Sequence, residues 1–150
     1  KTVEDRRVVQ QGFRYHMSNI NAAIGLVQMQ QFKKSVARRQ MLAKLYDRLL
    51  AKNTNVRVFK RNYSAIAPFM YIIRVSPKLR DDLIDYLGKN GIHAGLRYYP
   101  CHLQPFFGHR GRSLPVTGMV AQDMLSIPLF PGLTVRQVRF IVSKINEFFK

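Results

Sequence analysis

Cys101 and His102 are residues whose types could support catalysis, because a thiol beside an imidazole is a candidate nucleophile. The two are neighbours in a segment that reads as extended, where successive side chains point to opposite faces. This adjacency works against a Cys–His hydrogen bond, so we predict no thiol catalysis. Four histidines are scattered without the spacing of metal ligands, and we expect no metal site: His16, His93, His102 and His109.

A basic cluster falls within a stretch of good helix formers and consists of Lys33, Lys34, Arg38 and Arg39. Such a cluster can follow a nucleic-acid backbone, but no aromatic residues interleave with these charges as a base-stacking surface requires. A solvated helix face, or a surface that meets an acidic partner, explains the cluster as well. Nucleic-acid binding is therefore kept as an alternative function.

The segment from Gly12 to Gly25 combines a glycine, alternating aromatic and polar residues and the start of a helix. Cationic and amide donors beside the free N–H groups of a helix start are the groups that hold a phosphate. A strand end that leads into a core helix shares most of these features. The residue types alone leave both interpretations open.

The segment from Gly95 to Pro105 places aromatic, cationic and imidazole groups on one strand and on the loop that follows it. This run is too polar for a strand buried on both faces. It is typical either of a half-buried edge strand or of a pocket wall for a polar, ring-shaped ligand.

The charge of the whole chain is strongly positive, with 25 Lys and Arg against 8 Asp and Glu and a formal net charge of +17. Such a field attracts polyanions, including nucleic acids and phosphorylated small molecules. The excess is spread along the chain and forms no basic tail. A single cysteine and the lack of a leader predict a cytoplasmic location, and the start at Lys1 suggests that a longer chain precedes it.

Helical spacing predicts the elements that position these segments. A long helix begins at Ser18-Asn19, where either side chain can cap the free amides, and runs to about Lys52. A second helix follows Pro77 and stops at Asn90-Gly91, and the last helix begins after Thr134 as its N-cap. A short helix is predicted at 120–126.

Short apolar runs predict strands at 56–59, 70–75 and 92–99. Helices alternating with antiparallel strands predict an α+β class, with a small antiparallel sheet covered by helices. We assign residues 1–52 to a loop and long helix that link to a missing N-terminal large domain. Residues 53–150 form a small α+β domain.

The segments 12–25 and 95–105, with 113–117 and 125–131, resemble in order and separation the DegT/DnrJ/StrS-type sugar aminotransferases of fold-type I. The resemblance runs from Gly12 to the terminal helix. It implies an enzyme that moves an amino group, usually from glutamate, onto the keto carbon of a nucleotide-linked sugar with pyridoxal 5'-phosphate (PLP) as cofactor.

In this family the lysine that binds PLP as a Schiff base lies upstream of the matching region, and no lysine here corresponds to it. The resemblance therefore implies the C-terminal part of a homodimer with shared active sites, whose N-terminal half is missing. This part alone is expected to be inactive and to contain no catalytic residue. A non-catalytic oligomerisation fragment is a further alternative.

The resemblance also suggests which residues contact the ligands. Arg14 and His16 stand where the family has Asn and Arg, and the family's Asn reaches the cofactor phosphate of the partner subunit. Arg14 can still serve that anion. The expected wall on the sugar-nucleotide side comprises the residues that match the family's aromatic-Tyr-Pro-x-His stretch: Tyr98, Tyr99 and His102.

Overall fold

The computed structural model describes residues 10–13, 15–107 and 113–150. Within these ranges the elements are, in chain order, α1 Asn19–Leu50, β1 Arg57–Val58, β2 Tyr71–Arg74, α2 Pro77–Lys89, α3 Pro115–Asp123, β3 Met124–Ile127 and α4 Val135–Phe148. Two 3-10 turns, Cys101–Leu103 and Pro105–Phe107, lie between α2 and α3. The predicted α+β class is confirmed. The chain divides into two compact units, one that ends at Lys33 and one that covers Lys34–Lys150.

Helix α1 begins where the sequence predicts. The Ser18 hydroxyl accepts a hydrogen bond of 3.2 Å from the backbone N–H of Asn21, which satisfies one amide of the first turn. In the first unit its large apolar residues are exposed, and Ile20 retains 75% of its accessible surface. In the second unit Leu42 and Leu45 are buried, so the helix there has one face in the core.

Strand β2 is the centre of a three-stranded antiparallel sheet with the order β1-β2-β3. Tyr71 lies opposite Ile127 of β3, and Arg74 lies opposite Arg57 of β1. Tyr71 and Ile73 are buried whereas Ile72 and Arg74 are half-buried, as expected for a strand with one face in the core.

The core of the second unit lies where α1, α2 and α4 meet the sheet. The rings of Tyr46 and Tyr71 stack with their centroids 4.7 Å apart, which joins α1 to β2. Other fully buried side chains come from each of these helices and from β3: Leu42, Leu50, Leu83, Leu87, Leu125, Val138 and Ile145.

Two predicted helix ends are confirmed. Gly91 has φ of 73°, a left-handed conformation that costs a side-chain-bearing residue energy, and it lies just beyond the end of α2. Thr134 and Gln137 form a capping box at the start of α4, in which each side chain bonds to the backbone of the other residue.

Two predicted elements differ from the structure. The segment 92–99, predicted as a strand, forms one bridge instead, between Gly95 and Ser126. These two residues supply the only ladder contact in this described segment. The predicted helix at 120–126 is the end of α3 followed by β3. Pairing with β2 satisfies the backbone groups of β3, and this tertiary contact outweighs local helix preference.

Candidate functional site

The segment that follows α2 is attached to β3 at a single point. The backbone N–H of Ser126 donates to the carbonyl oxygen of Gly95 over 2.8 Å, and the Gly95 N–H returns a bond of 3.2 Å. The Ser126 hydroxyl donates to the same Gly95 oxygen over 2.9 Å. This attachment holds the residues on either side of Gly95 next to the sheet.

A polar cavity of about 240 Å³ opens beside this attachment. An imidazole and a guanidinium from the two sides of Gly95 contribute to its wall, and β3 closes it. Its lining residues are Phe69, Met70, His93, Arg97, Tyr98, Ser126 and Ile127. The wall therefore offers hydrogen-bond donors suited to an anionic or hydroxyl-rich ligand.

A second cavity of about 300 Å³ adjoins Tyr98 on the side of α3, and apolar side chains form most of it. Its lining residues are Tyr98, Pro100, Val116, Thr117, Val120, Ala121 and Met124. Tyr98 thus lines both cavities, and its side chain is 68% exposed. The Arg97 guanidinium carbon lies 5.9 Å from the centre of the Tyr98 ring, within the range of a cation–π contact.

The other residues predicted for this wall lie beside these cavities rather than among their lining residues. Tyr99 is half exposed, and His102 is partly buried on the 3-10 turn Cys101–Leu103. Cys101, which opens that turn, is exposed. The structure thus groups Tyr98 with His93 and Arg97, and a ligand role for Tyr99 and His102 stays a prediction.

His93 and Arg97 were not among the residues predicted for the site. Their signal was present in the sequence, since positions 93, 95 and 97 alternate and side chains two apart share a side of an extended segment. The bridge at Gly95 places that side next to Ser126.

The predicted phosphate-contacting residues belong to the first unit. Arg14 lies outside the described residues, and His16 is exposed just before α1. The first turn of α1 contains no acidic residue, and Ser18 caps it through Asn21. A helix start without acidic residues favours an anion through its N–H groups and its dipole, so this part of the chain fits a phosphate.

Hydrogen bonds from three side chains hold the α3–β3 region behind the cavities. The Arg74 guanidinium binds the Asp123 carboxylate, and Arg80 donates to the Ala121 carbonyl oxygen over 3.1 Å. The Tyr46 hydroxyl donates to the Pro128 carbonyl oxygen over 2.9 Å. Burial raises the pKa of Tyr46 well above its usual value, so this hydroxyl remains a donor at neutral pH.

One member of the basic cluster, Arg38, makes a structural contact within the second unit. Arg38 is half-buried and donates a hydrogen bond of 2.8 Å to the carbonyl oxygen of Leu133, ahead of α4. The nucleic-acid alternative relies on four cations, and this contact engages one of them within the fold.

In the described ranges 10–13, 15–107 and 113–150, no three His, Cys, Asp or Glu side chains are grouped as metal ligands would be. No helix of the described chain is both long and apolar enough to span a bilayer.

Comparison with known proteins identifies consistent similarities. The model of the "DegT/DnrJ/EryC1/StrS aminotransferase family" matches residues 1–146. GDP-perosamine synthase of Escherichia coli O157:H7 is 29% identical over 140 residues, which cover 92% of this chain and 38% of that relative.

Solved structures share the fold. The aminotransferase TlmJ of Streptoalloteichus hindustanus superposes with a TM-score of 0.87 and 26% identity, over 95% of this chain and 39% of that one. The PLP form of Spr1654 from Streptococcus pneumoniae has a TM-score of 0.85 at 22% identity over 95% of this chain and 38% of that one, a likeness in fold alone. The chain thus spans about two fifths of the length of these relatives.

Proposed function

Because the chain belongs to the DegT/DnrJ/EryC1/StrS aminotransferase family, we propose that it is the C-terminal part of a PLP-dependent sugar aminotransferase. The intact enzyme transfers an amino group, with glutamate as donor, to the keto carbon of a nucleotide-linked sugar. The family match over residues 1–146 is the observation that carries this proposal, and the name of the Escherichia coli relative supports a nucleotide sugar as substrate.

The two cavities beside Tyr98 support this substrate class. Arg97 and the imidazole of His93 supply donors for the charged or hydroxyl-bearing part of the substrate. The Tyr98 ring offers an apolar face with a polar tip, which suits the face and hydroxyls of a sugar. The apolar cavity between Tyr98 and α3 keeps water away from one side of the bound ring.

PLP supplies an electron sink through which the amino group is carried from donor to acceptor. From this chain we assign its phosphate to Arg14 and His16, together with the amides at the start of α1. That turn fits an anion because it contains no acidic residue. We place the PLP-binding lysine outside this chain, as the resemblance to the family implies.

The partners of this part are a preceding half of the same protein and a second subunit in a homodimer with shared active sites. Exposed apolar side chains of the first unit support this assignment, since a helix with apolar residues all round is normally buried. They occur before and along α1: Phe13, Tyr15, Met17, Ile20, Ile24, Leu26, Val27, Met29 and Phe32. Residues 1–52 then act as the link to the preceding domain.

The direct test uses the intact purified protein with PLP, glutamate and a panel of nucleotide-linked keto sugars that includes the keto precursor of GDP-perosamine. Mass spectrometry follows the conversion of the keto sugar to an amino sugar, and a coupled assay follows 2-oxoglutarate. Amino sugar formed in step with 2-oxoglutarate supports the proposal. Absence of bound PLP and of transfer with every sugar contradicts it, and salt-dependent DNA binding would then favour the nucleic-acid alternative.

A further inference from the structure

A basic groove lies in the second unit, between the exposed face of α1 and the loop that leads from β1 to β2. This open groove has a volume of about 690 Å³, within the range of small-molecule sites. Its lining residues are Ala37, Gln40, Met41, Lys44, Asp47, Arg48, Arg61 and Tyr63. It shares no lining residue with the two cavities at Tyr98, so the proposed aminotransferase site does not account for it.

The loop wall of the basic groove is tied to the rest of the second unit by side chains. The Gln40 amide donates to the carbonyl oxygens of Tyr63 and Ile66, over 2.5 and 2.9 Å. The Arg61 guanidinium donates to the carbonyl oxygen of Ile72 over 3.0 Å and lies 4.9 Å from the centre of the Tyr71 ring. Arg61 is therefore held in place before any ligand arrives, which lowers the entropy cost of binding.

The charges that line the basic groove are unbalanced. Lys44 and Arg48 are exposed on α1 one turn apart, a spacing at which like charges repel. Among the described residues that line the groove, Asp47 alone carries a carboxylate. That carboxylate accepts hydrogen bonds from Tyr63 over 2.7 Å and from Tyr71 over 2.5 Å, and it lies 3.9 Å from Arg61.

We propose that the basic groove binds a phosphate-bearing small molecule. Arg61 donates to the carbonyl oxygens of Phe59 and Ile72 and has further N–H groups, and a guanidinium fork matches phosphate oxygens. Lys44 and Arg48 approach the anion from the helix, and its charge relieves their mutual repulsion. Met41 and Ala37 give the floor an apolar part that suits the remainder of an organic phosphate.

The test is calorimetric titration of the intact protein with inorganic pyrophosphate and, separately, with a nucleoside diphosphate. The variant Lys44→Gln/Arg48→Gln removes two exposed cations from the groove. Arg136→Gln/Arg139→Gln is the matched control, because it removes two exposed cations from α4, also about one helical turn apart. Circular dichroism spectra of both variants establish that the helices are retained.

We expect saturable binding that the groove variant weakens by about tenfold or more, since charge-assisted hydrogen bonds are the strong ones. The control should change the dissociation constant by less than about twofold. For the binding that the groove variant weakens, a higher affinity for the nucleoside diphosphate than for pyrophosphate supports a nucleotide ligand, and equal affinity supports recognition of the phosphate alone. No saturable binding, equal losses in both variants, or a preference for a single-stranded oligonucleotide overturns the proposal.

Discussion

The carboxylate of Asp123, at the end of α3, accepts hydrogen bonds from both Nε and Nη2 of Arg74 on β2. The bond of Nε to Oδ2 measures 2.8 Å, and Asp123 is buried. This pairing raises the pKa of Arg74. It fixes the end of α3 where β3 begins, so the wall of the apolar cavity depends on it.

Removal of this carboxylate should destabilise the fold. We expect Asp123→Ala to lower the free energy of unfolding by about 2 kcal/mol, because Arg74 keeps its charge without a partner. This value lies between those for exposed and for buried ion pairs. Urea unfolding followed by circular dichroism measures the change. Asp82→Ala, at an exposed position of α2, should stay within about 0.5 kcal/mol. Equal changes in the free energy of unfolding for the two substitutions would show that the Arg74–Asp123 pair does not stabilise the fold.

The burial of Tyr63 beside the Asp47 carboxylate should make stability fall at alkaline pH. Burial and the neighbouring Asp47 raise the pKa of Tyr63 to about 12 in the folded protein, from 10.0. The unfolded chain therefore loses this proton first, so the stabilisation is complete below pH 10 and is lost as the pH rises to about 12. Tyr71 and Tyr46, whose pKa values are also raised, act in the same direction.

Unfolding titrations from about pH 9 to about pH 12 test this expectation. With Tyr63→Phe, the free energy of unfolding should fall by about 2 kcal/mol less across this pH range than it does in the unsubstituted protein. Tyr99→Phe, at a half-exposed position, serves as the control and should leave the decline unchanged. A decline that is identical in all three proteins would contradict the proposed cause.

Helix α2 offers a matched pair of leucines to measure core packing. Leu83 is fully buried, whereas Leu79 is 38% exposed on the same helix. We expect Leu83→Ala to lower the free energy of unfolding by about 3 kcal/mol, because it removes buried methyl groups and leaves a cavity. Leu79→Ala should cost about 1 kcal/mol or less. Similar losses at both positions would mean that α2 is not packed on the core as described.

The proposed substrate site gives a kinetic prediction. Replacement of Arg97 by Met in the intact enzyme should raise KM for the sugar nucleotide by about tenfold, because a charge-assisted hydrogen bond is lost. KM for glutamate should change little. Arg139→Met, on α4, is the control. An Arg97 variant that loses kcat at unchanged KM would assign this residue to a step other than substrate binding.

Local sequence patterns were sufficient to predict α2 and α4 of the second unit. The spacing of Val138, Ile141 and Ile145 and the capping residue Thr134 are properties of neighbouring positions, and α4 follows them. Strand β3 was harder to predict, because Met124–Ile127 becomes a strand only through its pairing with β2. That partner lies about fifty residues earlier in the chain.

The candidate site could be predicted only in part. Tyr98 was found through its motif and lines both cavities, but His93 and Arg97 join it because of the bridge at Gly95. The alternation of positions 93, 95 and 97 indicates that they share a side, but nothing in the sequence indicates that Ser126 lies against that side. The same holds for Arg38, whose bond to Leu133 spans 95 positions and turns a residue of a charged cluster into a structural contact.

The exposed turn that begins at Cys101 has a practical consequence for spectroscopy. Cys101 is the one cysteine of these 150 residues, and it directly follows Pro100 in the wall of the apolar cavity. A maleimide dye attached there would sit at the rim of the candidate site without replacing a lining side chain. These 150 residues also contain no tryptophan, so within this part of the protein such a label would report ligand entry against tyrosine emission.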